Sequence, residues 1–506
     1  MCDALTKINE TNIKSLVFFW YLCRKFSLTM EDRLNSYLFK NAADSIKQLT
    51  LAIREKIKGT QFEGKVFMAG GTVRNLILGV PNDGTYEIVV EKMGGGVIFA
   101  SWLTKQINKK HTKDNPSINE EWGLGCFSLD LGDVISDITI EASQTMKMWP
   151  ESTKTPINQL YGTLLEDALS RDFTINALYY DISDDRIIDK TGQGLFDIAM
   201  KILRTPKNAG YVFRCSPIRL LRGLRLSANH DFAFSKDTWL GMVQKASLVT
   251  NCDKIDIRRE LKMILLSDKP STTLNRMDKC GIMKYLFEDV HSLKDVTESY
   301  VDKTSFLDHT FSVVDSVFPM LENRLAALLH DIGMVVTTIR KQDVDDFSAE
   351  CACDILAELG YKQKTIAKVS TAIQNHRFFS QYSGNVIPNA KRVKMFLDLC
   401  GEEYPLVLDL MNAENNRSKL DPKPRQVLNI LKKIETMQKV KEEDEKKTEL
   451  PINGDDVMTS LNLKKGPMVG YILKKVKREF EREAISTKDE CLAFAKVMYD
   501  KYKDKF

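Results

Sequence analysis

The run Val66-Phe67-Met68-Ala69-Gly70-Gly71-Thr72-Val73-Arg74-Asn75-Leu76-Ile77-Leu78-Gly79 constrains the fold more than any other stretch of this chain. Its four apolar residues read as a buried strand, its adjacent glycines as a tight turn, and the residues after them as the start of an amphipathic helix. A strand passing straight into a helix in this way belongs to an α/β layer. The turn also suits an anion: glycines let backbone N–H groups approach a triphosphate closely, the helix N-terminus adds partial positive charge, and Arg74 can reach an anionic oxygen. Taken alone, the same residues describe a structural turn with a surface arginine.

The surrounding pattern extends the layer. Strand-like runs at 65–69, 88–90 and 135–140, with a glycine triplet at 94–96, lie among helical stretches near 43–58, 72–79 and 97–108. Phe173–Leu178 reads as a further strand built for packing. After Arg204 the period changes to that of helices, at 215–229, 256–266, 307–319, 321–333, 349–359, 364–376, 391–399, 424–438 and 467–482, so the remainder is expected to be helical. The expected fold class is therefore α+β, an α/β head of mixed sheet and helices followed by an all-α body. The mixed-charge run Lys439–Glu449, ahead of Pro451, reads as an exposed helix extension or a linker.

Composition limits the partners. With 506 residues, 43% hydrophobic and 28% charged, the chain can bury several cores, and its net charge of +4 is too small to mark a nucleic-acid binder by itself. Any such surface must be a local basic patch. Ten cysteines without a Cys-x-x-Cys pair argue against a zinc ribbon or a disulfide framework and for a reducing, intracellular compartment, cytoplasmic or mitochondrial. The apolar segment at 15–23 is far shorter than the roughly 20 residues a spanning helix needs, so no membrane partner is expected. Asp3 and Glu10 weigh against a targeting segment there, and a packed N-terminal helix is the preferred reading.

Three later segments give the opening motif a context: Glu166–Leu178 with Arg171-Asp172, Ile187–Leu195, and Pro217–Arg225. In that order and spacing they resemble the class II tRNA nucleotidyltransferases and bacterial-type poly(A) polymerases. The likeness continues through Leu328-Leu329-His330-Asp331-Ile332-Gly333, similar to the HD domain of some bacterial members, and through Pro451–Asp456 and Lys465–Gly470, similar to their helical tail. The resemblance implies an N-terminal extension at 1–40, a nucleotidyltransferase head at 41–205, a helical neck that binds RNA and nucleotide at 206–295, an HD domain at 296–440 and a tail at 441–506. It implies transfer of CMP or AMP from CTP or ATP to RNA 3′ ends, with tRNA as the expected RNA and Mg2+ as the cofactor of the head.

Carried over residue by residue, the resemblance places Gly70, Gly71 and Arg74 on the triphosphate, Arg171 and Asp172 in the nucleotide pocket, and Arg219 and Arg222 on the nucleotide from the neck. Asp83 and Glu87 become the catalytic metal ligands, because two-ion nucleotidyl transfer needs carboxylates on one face of the sheet. Departures are concentrated here. Thr85 stands where the first aspartate of an Asp-x-Asp pair belongs, Thr139 where a third acid belongs, Gln144 where an arginine belongs, and Asn75 where an aspartate is usual. Asp137 and Glu141 share the face of Thr139 by alternation, so a register difference of two would restore an acid. Cys215 and Ser216 occupy the acidic positions of the base-reading helix, beside the retained Arg219.

The HD-like segment offers His309, His330, Asp331 and Glu414 as ligands for a divalent metal, with His376 as an additional candidate. Met334 replaces a common lysine, and the Phe347–Glu350 stretch lacks a histidine found in many relatives. Two functional readings follow. One is an active RNA 3′-terminal nucleotidyltransferase. The other is a lapsed relative that keeps the fold and an RNA-binding surface and acts as an assembly or regulatory subunit within a protein complex.

Overall fold

A computed structural model of the chain describes residues 44–82, 85–106, 117–119, 124–129, 138–147, 160–296, 305–336, 344–379, 389–415, 450–480 and 485–503, with isolated residues between 430 and 436. Asp83, Asp137, the apolar segment at 15–23 and the charged run at 439–449 lie outside the described residues. The chain divides into two compact units, Met1–Gln374 and Asn375–Phe506.

The first unit opens with helix α1 (Asp44–Ile57), strand β1 (Val66–Ala69), helix α2 (Gly70–Leu78), strand β2 (Thr85–Val90) and helix α3 (Gly95–Gln106). Strands β3 (Ser117–Asn119), β4 (Leu124–Leu129) and β5 (Ile138–Gln144), helix α4 (Leu164–Ser170), and strands β6 (Leu178–Asp181) and β7 (Arg186–Asp189) follow. The seven strands form one sheet in the order β3-β4-β5-β2-β1-β6-β7. Only the β2–β5 pair is parallel; every other neighbouring pair is antiparallel. The diglycine turn thus joins a central strand to its helix, as the sequence suggests.

Alternation along these strands sorts the side chains into two faces. One carries Met68, Ile88, Val90, Ile140 and Tyr180, all buried. Helix α1 lies over it, with Thr50 against the Met68 sulfur and Arg54 reaching the Tyr180 hydroxyl, and α3 covers Val90 and Gly125. Phe62 packs edge-on to Phe99 of α3 at 5.2 Å between centroids. The other face is apolar only in part. Phe67, Ala69, Val89 and Tyr179 pack there with Leu164 and Ala168 of α4, while Thr85, Glu87, Thr139 and Glu141 continue the same face toward solvent.

Phe173–Leu178 is not one strand. Thr174–Asn176 forms a 3-10 turn, and the strand begins only at Leu178. The reason is local: the Asp172 carboxylate accepts from the Phe173 N–H at 2.8 Å and from Asn176 Nδ2 at 3.0 Å, curling the chain back on itself.

Beyond the sheet come helix α5 (Gly194–Ala199), strand β8 (Ile202–Leu203), and helices α6 (Ala209–Cys215) and α7 (Arg219–Asn229). Strand β9 (Ala233–Phe234) pairs with β8 in parallel, a small exception to the helical remainder expected after Arg204. Helices α8 (Lys236–Lys245), α9 (Lys254–Leu265), α10 (Pro270–Lys279), α11 (Ile282–Leu286) and α12 (Glu288–Ser292) follow. Leu220, Leu221, Leu224 and Leu226 of α7 are fully buried, leaving its arginines on another side. Gly223 lies against Phe173, where an added Cβ would come 2.8 Å from the ring. Helices α13 (Phe306–Ser316), α14 (Leu321–Leu329), α15 (Val344–Glu358) and α16 (Gln363–Asn375) end the unit.

The second unit holds α17 (Ala390–Cys400), α18 (Tyr404–Asn415), α19 (Gly454–Leu461), α20 (Pro467–Phe480) and α21 (Lys488–Tyr502). Its last three helices share a core of Val457, Val469, Ile472, Val476, Cys491 and Ala495. Capping boxes open α19 at Asn453 and α21 at Thr487. Among the described residues, no helix is long and apolar enough to cross a membrane, and eight cysteines are free thiols.

Candidate nucleotide site

The site is built where β1 turns into α2. Gly70 has φ +63°, a conformation that side chains other than glycine rarely adopt, and a Cβ there would sit 1.9 Å from Glu87 Oε2. The missing side chain makes room for an ion pair. Glu87 Oε1 lies 2.8 Å from Arg171 Nη2 directly over the glycine. Thr72 fixes the strand beside it, its hydroxyl accepting from the Glu87 N–H at 3.1 Å.

Arg171 is held on several sides. Its Nε meets Asp167 Oδ2 at 3.0 Å and the Tyr179 hydroxyl at 3.2 Å, and its Nη1 donates to the Asn176 carbonyl at 3.2 Å. Tyr179 in turn donates to Asp167 at 2.6 Å. Burial penalises the Arg171 charge, yet Glu87, Tyr179 and Asp167 outweigh that cost and hold its pKa well above the usual value.

A second line of contacts runs to α7. Arg74 of α2 is buried and donates to Asn176 Oδ1 at 2.7 Å and to Asn75 Oδ1 at 2.8 Å. Asn176 bonds Asp172, and Asp172 Oδ2 lies 3.1 Å from Arg222 Nη1. Burial would raise the Asp172 pKa, but Arg222 and then Arg219 bring it down to about 2. Arg219 Nη2 donates to the Ser170 carbonyl at 2.7 Å, and its Nη1 is a buried nitrogen with no hydrogen-bond partner.

The parallel pairing of β2 with β5 decides which acids share the open face. Thr85 pairs with Thr139 and Glu87 with Glu141, so paired side chains project on the same side. Glu141 is exposed and has Cys126 as its partner on β4, where burial and then the Glu141 charge push the thiol pKa up. Glu87 and Glu141 therefore stand in one row, with Thr85 and Thr139 in the next, and carboxylate oxygens are the ligands that a hard divalent cation such as Mg2+ takes. Gln144 falls on the opposite face and accepts from the Gly94 N–H at 2.7 Å, so it belongs to a turn rather than to the site.

Gly70, Gly71, Arg74, Glu87, Arg171, Asp172, Arg219 and Arg222 are therefore brought into one neighbourhood, whereas Asp83 lies outside the described residues. Three family models match in the same order: "Poly A polymerase head domain" over 66–204, "Probable RNA and SrmB- binding site of polymerase A" over 231–294, and "tRNA nucleotidyltransferase domain 2 putative" over 352–495. The chain belongs to the class II tRNA nucleotidyltransferase family. A tRNA nucleotidyltransferase of Schizosaccharomyces pombe is 29% identical over 36% of this chain and 36% of its own length. The CCA-adding enzyme of Streptococcus mutans is 32% identical over 42% of this chain and 47% of its own length. The chain thus matches between about a third and a half of these two relatives. The fold is shared with the Bacillus stearothermophilus CCA-adding enzyme in complex with CTP, which aligns over 91% of this chain and 99% of its own with a TM-score of 0.53 at 18% identity.

The HD-like residues group separately. His309 of α13 and His330 and Asp331 after α14 are buried, with both imidazole Nε2 atoms facing one carboxylate oxygen, Asp331 Oδ2, at 3.4 and 3.1 Å. His330 Nδ1 lies 2.8 Å from the Ala327 carbonyl, which fixes the ring. In the second unit, Glu414 Oε1 is 3.8 Å from His376 Nε2 and 3.4 Å from Arg377 Nη2.

Sequence reasoning missed Thr72, Asp167 and Tyr179 as members of the network. Asn176 carried a visible signal, because a polar residue inside the apolar run Phe173–Leu178 needs a buried partner.

Proposed function

We propose that the chain transfers CMP or AMP from CTP or ATP to the 3′ end of a tRNA. The observation that carries this reading is the row shared by Glu87 and Glu141 on adjacent parallel strands, beside the diglycine turn. Glu87 and Glu141 would hold a divalent ion, with Thr85 and Thr139 in the next row; such an ion, when bound, polarises a phosphoryl oxygen and neutralises charge on the leaving pyrophosphate. The N–H groups at the start of α2 cradle phosphate oxygens, and Arg171 balances the Glu87 charge so that an anionic substrate can enter. Asp172 and Arg222 supply paired acceptor and donor groups to the nucleotide, and the Arg219 Nη1 offers a further donor at the neck. Residues 41–205 then form the catalytic head and 206–295 the neck that receives the acceptor end of the RNA. The names of the two relatives, one a tRNA nucleotidyltransferase and one a CCA-adding enzyme, support tRNA as the acceptor.

The test is incubation of the purified chain with tRNA lacking its 3′ end, Mg2+ and labelled CTP or ATP. Incorporation that disappears in Glu87→Ala is the expected result, and no incorporation at any nucleotide concentration overturns the reading.

The HD-like segment at 296–440 is read as a second cation site. Two imidazole nitrogens aimed at one buried carboxylate oxygen are held together most simply by a positive charge between or upon them. Metal analysis after dialysis against Mn2+ or Zn2+ is expected to find an ion that Asp331→Asn loses; equal metal content in both proteins removes this assignment.

A further inference from the structure

We infer that Glu260, a buried carboxylate in the neck, is a positioning residue for the nucleotide pocket, acting through Arg222 and Asp172. This rests on the nucleotide-binding reading above and adds a residue to it. Glu260 lies in α9 and is 1% exposed, within the sequence Ile257-Arg258-Arg259-Glu260-Leu261. A carboxylate so placed is costly unless positive groups meet it. Two do: Arg225 Nε at 2.6 Å and Arg222 Nε at 3.8 Å.

The two arginines sit one helical turn apart on α7, and Glu260 occupies the space between them. Arg222 is thereby gripped from both ends, its Nε by the neck carboxylate and its Nη1 by Asp172 of the head. From Asp172 the contacts continue through Asn176 to Arg74 in the helix that follows the diglycine turn. One continuous polar chain, Glu260–Arg222–Asp172–Asn176–Arg74, thus ties the neck to the phosphate end of the pocket. Without the Glu260 charge, Arg222 would swing toward Asp172 alone or toward solvent, and the Asp172 oxygen that Arg222 orients would lose its set direction.

The experiment measures equilibrium binding of CTP and ATP to the full chain with Mg2+, and separately binding of tRNA lacking its 3′ end. Glu260→Gln is expected to weaken nucleotide binding about tenfold, the effect of losing one charge-assisted contact, while RNA affinity stays the same. Glu260→Asp, which keeps the charge, is expected to recover most of the loss. In the double variant Glu260→Gln with Arg222→Met, nucleotide affinity should equal that of Arg222→Met alone, because both act on one path. Should Glu260→Gln not fold, the paired variant Glu260→Met with Arg225→Met, which leaves neither charge buried alone, carries the same comparison with and without Arg222→Met. Unchanged nucleotide affinity, additive losses, or parallel loss of RNA affinity overturns the inference. A wild-type chain that binds neither nucleotide overturns the nucleotide reading as well, whereas a binding-competent wild type with an unaffected Glu260→Gln overturns this inference alone.

Discussion

Glu87 and Arg171 meet over the Cα of Gly70, 2.8 Å apart, in space that exists only because that residue has no side chain. The glycine that marks the phosphate turn in the sequence therefore has a second duty, to seat a carboxylate and its counter-ion. Substitution should disturb both. Gly70→Ala forces an unfavourable φ and drives a methyl group into Glu87, so unfolding free energy is expected to fall by about 1–3 kcal/mol. Incorporation should fall with it, read by chemical denaturation alongside the labelled-nucleotide assay, whereas wild-type stability would count against the contact.

Glu141 and Thr139 make opposite predictions. Glu141 shares a row with Glu87, so Glu141→Gln is expected to lower incorporation on the order of a hundredfold and to weaken Mn2+ binding measured by paramagnetic resonance. Thr139→Val, one row along, should change incorporation by no more than about threefold. The reverse ranking would return the third-acid position to residue 139.

Asp172 carries a pH dependence. Its folded-state pKa is depressed from 3.8 to about 2, with burial opposing and Arg222 and Arg219 favouring the charged form. The stability it contributes, about 2 kcal/mol, is fully present above pH 4 and is lost as pH falls from about 4 toward 2. Asp172→Asn is expected to be less stable than wild type at neutral pH and to converge on it near pH 2, measured by urea unfolding across that range. Parallel stability curves would show that the carboxylate is not held by the arginines.

His230 acts over a higher range. Burial, then the charges of Arg74, Lys201 and Arg225, lower its pKa from 6.5 to about 4, so the folded chain resists a proton that the unfolded chain accepts. Stability should therefore fall as pH drops from about 6.5 to 4. His230→Gln removes the titrating group, and its loss of stability between those limits is expected to be shallower than that of wild type; an identical slope would place the acid sensitivity elsewhere.

Much of the head was legible because its determinants are local. The apolar quartet, the glycines and the helix after them lie next to one another, and alternation alone places residues 85 and 87 on one face. Glu141 was visible as a candidate but not as the partner of Glu87, because that choice depends on pairing between strands about fifty residues apart in the chain. Phe173–Leu178 misled for the opposite reason: its apolar composition favours a strand, and the side chain of Asp172 overrides it with a turn. Glu260 gave no signal at all. In Arg258-Arg259-Glu260 it reads as a solvated helix charge, and only the return of α7 with Arg222 and Arg225 shows that it is enclosed.

The contacts of Asp172 and Phe173 with the neck have a mechanical meaning. Two consecutive residues of the head engage two consecutive residues of α7, the carboxylate gripping Arg222 and the ring filling the notch at Gly223. Turning α7 about its axis by a single residue would aim Leu221 at the acid and push Arg222 into the phenyl ring. The joint consequently behaves as a keyed shaft rather than a swivel, and this helix and the 172–176 turn must travel together.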